Sequence, residues 1–353
     1  MSDIDNILSA YDYDFPEELI AKVPASPRDA ARLMVFDRNT GSMEESFFSD
    51  IVGFIPERSV IVFNRTKVIP ARFSIRKTSG GSAKLLYVGI EDDLVKVMSD
   101  RKLDIGTVVS AASDIDIIVE RQDGKYFFIR FPENFFIDGK FSVAMFHSFL
   151  FKNGETPLPP YIKNTPLEES ELREEYQSVF AEEEGSVAAP TASLHFTEEL
   201  IGKIKEAGHE ICFITLHVGL GTFAPLSAEN ISSGTLHEEW YEIPEDALAV
   251  INRAREEGRS VIAVGTTSIR TLESAADDKG KIIKASGFTN LFIREGYRFK
   301  VVKGIITNFH VPRSSLLMLV SAFAGRDNVV RLYKKAITDG FRLFSFGDGM
   351  III

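Results

Sequence analysis

Four short islands hold the residues best suited to chemistry. In Gly185-Ser-Val-Ala-Ala-Pro-Thr-Ala-Ser-Leu-His-Phe196, a run of small, turning residues ends in one imidazole, His195. Small side chains let the backbone close on a ligand, and histidine, with an unperturbed pKa of about 6.5, transfers protons near neutrality. The other islands are His217-Val-Gly-Leu-Gly-Thr-Phe223, Val264-Gly-Thr-Thr-Ser-Ile-Arg-Thr-Leu-Glu-Ser274 and Thr307-Asn-Phe-His-Val-Pro312.

Each island has a bland reading beside the chemical one. Gly219-Leu-Gly221-Thr222-Phe-Ala224 follows a strand and matches a loose G-x-G-x-x-A pattern. A dinucleotide fingerprint needs a helix to open at once, whereas Pro225, Ser227, Asn230, Ser232, Ser233 and Gly234 make a long loop, which argues against a Rossmann site and the usual methyltransferase fold. Val264-Gly-Thr-Thr-Ser268 does lead straight from a strand into a helix, expected over Ile269 to Ala276. Free amides and the helix dipole there favour an anion such as a carboxylate or phosphate, while simple N-capping by Thr267 or Ser268 is the structural alternative. Glu273 on that helix is a candidate base or cation partner, or a surface glutamate. Of six histidines, His195, His217, His237 and His310 lie in polar, turn-rich segments, and His147 and His209 read as structural or exposed. His237-Glu-Glu-Trp-Tyr241 lacks the second histidine of H-E-x-x-H, so no metal is expected. Trp240, Tyr241, Phe196 and Phe223 offer aromatic faces to a purine or cation, or belong to the core.

The elements that must position these islands fall into two kinds. Between about 68 and 131, short strands at Arg72 to Arg76, Ala83 to Val88, Asp93 to Val97, Gly106 to Val109, Asp116 to Val119 and Lys125 to Phe131 alternate with turns, predicting a small antiparallel barrel. Before it lie a helix expected from Pro16 and strands at Leu33 to Phe36 and Val60 to Phe63. After residue 190 helices and strands alternate, with Thr197 as an N-cap, Pro244 opening a second helix and a strand at Ser260 to Val264. The expected architecture is a discontinuous α/β domain, 1–62 and 153–353, with an inserted small antiparallel β-barrel, 63–152. The Glu-rich stretch at 168–184 is expected as a solvated helix.

Composition bounds the partners. With 353 residues two domains are the natural division, and no apolar run approaches the ~18 residues that span a bilayer. The acidic amino terminus is not that of a secretory signal, and the lone Cys212 in an apolar run reads as a core thiol, so a cytoplasmic protein is expected. A net charge of −11 conceals uneven distribution. Residues 61–90 carry Arg65, Lys67, Arg72, Arg76, Lys77 and Lys84 without an acid, and 294–313 carry Arg294, Arg298, Lys300, Lys303 and Arg313 against Glu295. Such stretches form either a phosphate-binding face or ordinary solvated strands.

Taken together and in order, these segments closely resemble the S-adenosylmethionine:tRNA ribosyltransferase-isomerases of queuosine biosynthesis. The resemblance runs from Asp14-Phe-Pro-Glu-Glu-Leu-Ile20 and Phe63-Asn-Arg-Thr-Lys-Val-Ile-Pro-Ala-Arg72 through Pro157-Leu-Pro-Pro-Tyr-Ile162, the four islands and Gly296 to Val302, to Phe344-Ser-Phe-Gly-Asp348. Departures are Arg65 where Asp or Asn is usual, Lys67 for Arg, Lys84 for Glu and Ser193 for Gly. The resemblance implies the same discontinuous architecture. It also implies transfer and isomerisation of the ribosyl moiety of S-adenosylmethionine onto 7-aminomethyl-7-deazaguanine at the tRNA wobble position, giving epoxyqueuosine and releasing adenine and methionine. The implied partners are tRNAs with GUN anticodons, for Asp, Asn, His and Tyr, acted on by a monomer with no cofactor beyond the ribosyl donor itself. Within that reading His195 or His217 is the base, assisted by His310 or Glu273. Thr266, Thr267 and Ser268 take the methionine carboxylate, and Thr191, Gly219, Gly221, Thr222 and Arg270 complete the substrate site. Arg65, Lys67, Arg72, Arg298 and Lys300 are expected on the anticodon arm. The alternatives from other classes are a non-catalytic tRNA-binding protein and a metal-assisted nucleotide hydrolase.

Overall fold

The computed structural model describes residues 3–112, 115–219 and 226–353. A nine-stranded sheet runs in the order Ser286–Leu291, Thr235–Glu242, Glu210–Leu216, Val60–Asn64, Val261–Val264, Gly304–Asn308, Gly349–Ile352, Arg32–Phe36 and Met43–Phe47. The four strands 210–216, 60–64, 261–264 and 304–308 are parallel, and antiparallel neighbours flank them at 235–242 and 349–352. Strands buried on both faces must be apolar at every position, as Val60-Ile-Val-Phe63 and Val261-Ile-Ala-Val264 are. Their alternate side chains enter different cores. Val60, Val62 and Ala263 join Ile251, Leu272 and Val320 of the helices Glu245–Glu256, Gly265–Ala275 and Ser315–Ala324, whereas Ile61, Phe63 and Val264 meet Phe48, Phe196 and Leu200 on the other face.

The inserted unit is a closed antiparallel barrel in the order Tyr126–Arg130, Leu94–Ser99, Ser82–Glu91, Arg72–Lys77, Val108–Ala111, Ile115–Asp123. Its interior holds Phe73, Ile75, Leu85, Val97 and Phe131, and the helix Val143–Asn153 covers it with Phe146, Phe149 and Leu150. Closure removes the edges that six short strands would otherwise expose. Strand Val60–Asn64 lies wholly in the large sheet, so the barrel core begins near Ile69, later than the expected boundary at 63. Among the described residues no helix is long and apolar enough to cross a membrane.

Two expectations fail for local reasons. From Pro16 the chain makes only the three-residue turn Glu17–Leu19, because Leu19 and Ile20 are only partly buried against the core and the chain is already extended at Ile20. In the Glu-rich stretch the helix stops at Glu169–Glu175. Beyond it Gln177 bonds both the N–H and the carbonyl of Val68, and Glu183–Ser186 becomes a strand parallel to Thr66–Val68. Arg65 there faces Glu182 at 3.0 Å and Glu183 at 3.3 Å, and Lys67 faces Glu184 at 3.1 Å. The acids that read as a solvated face are therefore partners of the first basic stretch.

The two chain crossings between domains touch. Arg72 N–H donates to Glu155 O at 3.2 Å, and Glu155 N–H donates back to Arg72 O at 2.6 Å. A Cβ on Gly154 would stand 2.0 Å from the Pro70 carbonyl oxygen, so only glycine admits this approach. Gly154→Ala is expected to cost about 1–3 kcal/mol, the usual range for overpacking. A urea titration checks it, and an unchanged midpoint contradicts it.

Candidate functional site

The carboxyl ends of the four parallel strands meet at one edge, where open α/β sheets bind ligands. There Asn64, Leu216, Val264 and Asn308 end their strands. A cleft opens at this edge. Its walls are Pro190, Thr191 and Ala192 from the small-residue run, Gly265, Thr266 and Thr267 from the helix start, Thr307, Asn308 and His310 from the last island, and Tyr161, Phe344 and Ser345.

The helix begins four residues earlier than expected, at Gly265, with Val264 as N-cap and no side chain capping it. Neither Thr267 nor Ser268 caps. Thr267 Oγ1 accepts from Asn64 Nδ2 at 3.2 Å, and Ser268 Oγ donates back to Val264 O at 2.8 Å. Thr266 and Thr267 thus line the cleft with uncapped first-turn amides behind them, where the helix dipole favours negative charge. Ser268 is fully buried and does not line it.

The candidate histidines separate. His310 alone lines the cleft. Its Nε2 lies 2.9 Å from Thr307 Oγ1, its N–H donates to Tyr333 Oη at 2.9 Å, and its carbonyl accepts from Tyr13 Oη at 2.5 Å. Burial lowers its pKa to about 3, so the ring is neutral. His195 sits one layer behind the wall, stacked on Phe48 at 4.5 Å between centroids, with Nε2 3.2 Å from Asn308 Nδ2. Burial, with Arg342 and Arg28 adding to it, pushes its pKa down to about 3. His217 is at the crease between the domains, half-buried, with Nδ1 2.9 Å from Thr66 Oγ1 and its ring stacked on Trp240 at 5.3 Å. Gly185 lies against that ring, where a Cβ would come within 3.0 Å of it. Desolvation lowers the pKa of His217, opposed by Glu183.

Glu273 is committed to the backbone. Its carboxylate accepts from the N–H groups of Lys300, Val301 and Val302 at 2.9, 3.0 and 3.0 Å and from Tyr297 Oη at 3.2 Å. It anchors the 297–302 segment and does not line the cleft. Arg270 lines a second crevice of about 370 Å³ that shares Leu316 with the first. Arg270 Nη1 is bonded to Glu239, and Nε and Nη2 donate to the carbonyls of Leu291 and Thr289. Glu239 in turn accepts from Gly219 N–H at 2.8 Å, tying the glycine island to the sheet. His237 is exposed at the rim of this crevice. Gly221, Thr222 and Phe223 lie outside the described residues. Phe196 and Tyr241 are core, and burial drives the Cys212 thiol up to about 12, as a core thiol requires.

The expected RNA-facing cations differ in their freedom. Arg298 is exposed. Arg65 and Lys67 meet the glutamates described above, Lys300 faces Asp278 at 3.4 Å, and Arg72 donates to Leu158 O at 3.2 Å. Sequence reasoning passed over Asn64, Thr307, Asn308, Tyr161 and Glu239. The available signal was polar residues closing apolar strands, as in Val-Phe-Asn64 and Ile-Ile-Thr-Asn308.

A discontinuous α/β domain with an inserted six-stranded barrel and a cleft at the carboxyl ends of its parallel strands defines the architectural class. Residues 8–352 match the family described as queuosine biosynthesis protein, and the chain belongs to that family. It is similar to a solved structure, the S-adenosylmethionine tRNA ribosyltransferase of Thermotoga maritima. The two share 31% sequence identity over 98% of this chain and 100% of that one, with a TM-score of 0.54.

The two neutral, fully buried imidazoles have a thermodynamic consequence. Their folded pKa values of about 3 lie below the unfolded value of about 6.5, so the unfolded chain binds protons first as pH falls. Their stabilisation is complete above pH ~6.5 and is lost progressively as pH falls towards 3. Between pH 7 and 5.5, where carboxylates scarcely titrate, stability should fall by about 2.5 kcal/mol for the pair. Urea unfolding at the two pH values measures it, and constant or rising stability contradicts the assignment.

Proposed function

We propose that the chain transfers and isomerises the ribosyl moiety of S-adenosylmethionine onto 7-aminomethyl-7-deazaguanine in the wobble position of tRNA, yielding epoxyqueuosine, adenine and methionine. The observation that carries this reading is the cleft itself: small residues, an uncapped helix start, threonine and asparagine side chains and one histidine converge where a sugar with two leaving groups needs donors and a proton carrier. Family membership and the likeness to the Thermotoga maritima enzyme support the same substrate.

A sulfonium acidifies the carbon beside it, so the first step is removal of that proton and loss of adenine with the sugar bond electrons. The departing adenine takes up a proton and the aminomethyl nitrogen bonds to C1′ in its place. The carbanion beside sulfur then closes onto C1′, breaking the bond from C1′ to the ring oxygen, and the alkoxide so freed displaces methionine from the carbon beside it to close the epoxide. In this scheme His310 carries the proton, because it is the candidate histidine that lines the cleft. Burial keeps its ring neutral, with a nitrogen lone pair to accept a proton. Thr191, Thr266, Thr267 and Thr307 hold sugar oxygens or the carboxylate. Glu239 and Arg270 act indirectly by fixing Gly219, and Glu273 by fixing the 297–302 segment. His217 belongs to the domain crease, beside the cations proposed to face the anticodon arm.

The direct test incubates the protein with S-adenosylmethionine and precursor-bearing tRNA of the GUN class and measures adenine and methionine release against epoxyqueuosine in digested tRNA. Equimolar appearance of the three is expected, and no adenine release contradicts the reading. His310→Ala should slow single turnover by about 10²–10⁴-fold, the range for a lost general acid or base. Undiminished turnover in this variant would remove His310 from the chemistry. For the RNA contact, Arg298→Ala should reduce the slope of log affinity against log salt by about 0.7–0.9. Arg65→Ala should reduce it less, because Glu182 and Glu183 already neutralise that guanidinium. Equal changes in the two variants would contradict the difference in exposure.

A further inference from the structure

Asn308 ends the strand Gly304–Asn308 in the wall of the cleft and is only 1% exposed. Its amide has one defined orientation. Nδ2 lies 3.1 Å from Phe344 O, an atom that can only accept, so the nitrogen rather than the oxygen must face it. The second Nδ2 hydrogen points to His195 Nε2 at 3.2 Å. That nitrogen must therefore carry its lone pair, which places the imidazole proton on Nδ1. Both amide hydrogens are thus consumed by acceptors, and turning the amide over would set oxygen against the Phe344 carbonyl oxygen.

The remaining atom, Asn308 Oδ1, is buried and has no hydrogen-bond partner among the described residues. A buried acceptor without a donor costs about 1–3 kcal/mol, and a structure that fixes it by two bonds on the other end of the same amide maintains that cost. Asn308 is one of the residues that line the cleft, which makes an occupant of the cleft a source for the missing donor.

We infer that Asn308 Oδ1 accepts a hydrogen bond from an N–H or O–H of the adenosyl group of the bound substrate, and that His195 is the positioning residue that aims it. The inference rests on the S-adenosylmethionine reading and deepens it. It gives the opening histidine of the small-residue run a role without proton transfer: a neutral acceptor that locks an amide. An imidazolium there would turn N–H towards N–H, so the lock also requires His195 to remain unprotonated.

The test is calorimetric titration of the full-length protein with S-adenosylmethionine and three analogues lacking one donor each: 2′-deoxy, 3′-deoxy and 6-deaminated. Asn308→Leu keeps the branching at Cγ but removes the acceptor, and should weaken S-adenosylmethionine binding about ten- to hundredfold. One analogue should bind wild type with a similar loss and show no further loss with Asn308→Leu. His195→Phe should reproduce this pattern, weakening the parent ligand but not that analogue, a selectivity that general loss of packing would not produce. If all three analogues suffer the full Asn308→Leu penalty, or if the variant binds the parent ligand normally, the inference is overturned. Absence of S-adenosylmethionine binding to wild type overturns the functional reading as well. Should the variants fail to fold, a crystal of wild type with substrate decides: Oδ1 within hydrogen-bond distance of an adenosyl donor supports the inference, and Oδ1 left unpaired overturns it.

Discussion

The side chain of Asn64 ties together three of the segments that meet beside the cleft. It is fully buried at the carboxyl end of the central strand, and its amide makes four hydrogen bonds. Nδ2 donates to Leu216 O and Thr267 Oγ1, and Oδ1 accepts from Leu216 N–H and Thr66 N–H. One amide therefore fixes the end of the neighbouring strand that leads to His217, the first turn of the helix that borders the cleft, and the first residues that leave for the barrel. Buried polar groups must be satisfied, and a fully satisfied network imposes one geometry. An apolar residue would fill the space of Asn64 yet leave Leu216 and Thr66 without their partners. Asn308, two strands across, uses both hydrogens of its amide in the same way, with Oδ1 left without a partner among the described residues.

Charge distribution is governed by the same economy of pairing. The chain carries a net charge of −11, and in its first basic stretch Arg65, Lys67 and Lys84 are matched by glutamates that come back from residues 182–184 and 155. Exposed pairs of this kind contribute about 0–1 kcal/mol, so they are easily exchanged for phosphate. They nevertheless lower the field that an approaching nucleic acid meets. On the proposed function, exposed cations such as Arg298 are the ones left to meet phosphate, whatever the raw density of Arg and Lys along the chain.

Much of the fold was legible because periodicity speaks directly. The barrel strands, the apolar runs at 60–63 and 261–264, the cap at Thr197 and the helix after Pro244 all stand where the pattern put them. What was illegible depends on distant partners. Glu183 becomes a strand residue because Thr66 runs beside it, and Gln177 turns away from a helix because Val68 offers both of its backbone groups. The strand Gly349–Ile352 inserts between 304–308 and 32–36, an arrangement that no local pattern announces. For the site, the four islands were visible, and all four reach the cleft, the second through Val218 among the described residues. The sorting of their histidines was not, because burial and hydrogen-bond partners separate His310 from His195 and His217, and those are tertiary properties. The asparagines that organise the cleft carry no signature beyond a polar residue closing an apolar strand.

The central claim is that S-adenosylmethionine occupies the cleft at the carboxyl ends of the parallel strands, against the helix start and His310, rather than the crease that holds His217. Amide hydrogen exchange with and without S-adenosylmethionine tests it most directly. The account predicts added protection in 189–192, 265–268 and 307–311. Protection confined to 183–186 and 215–217, around His217, would contradict it.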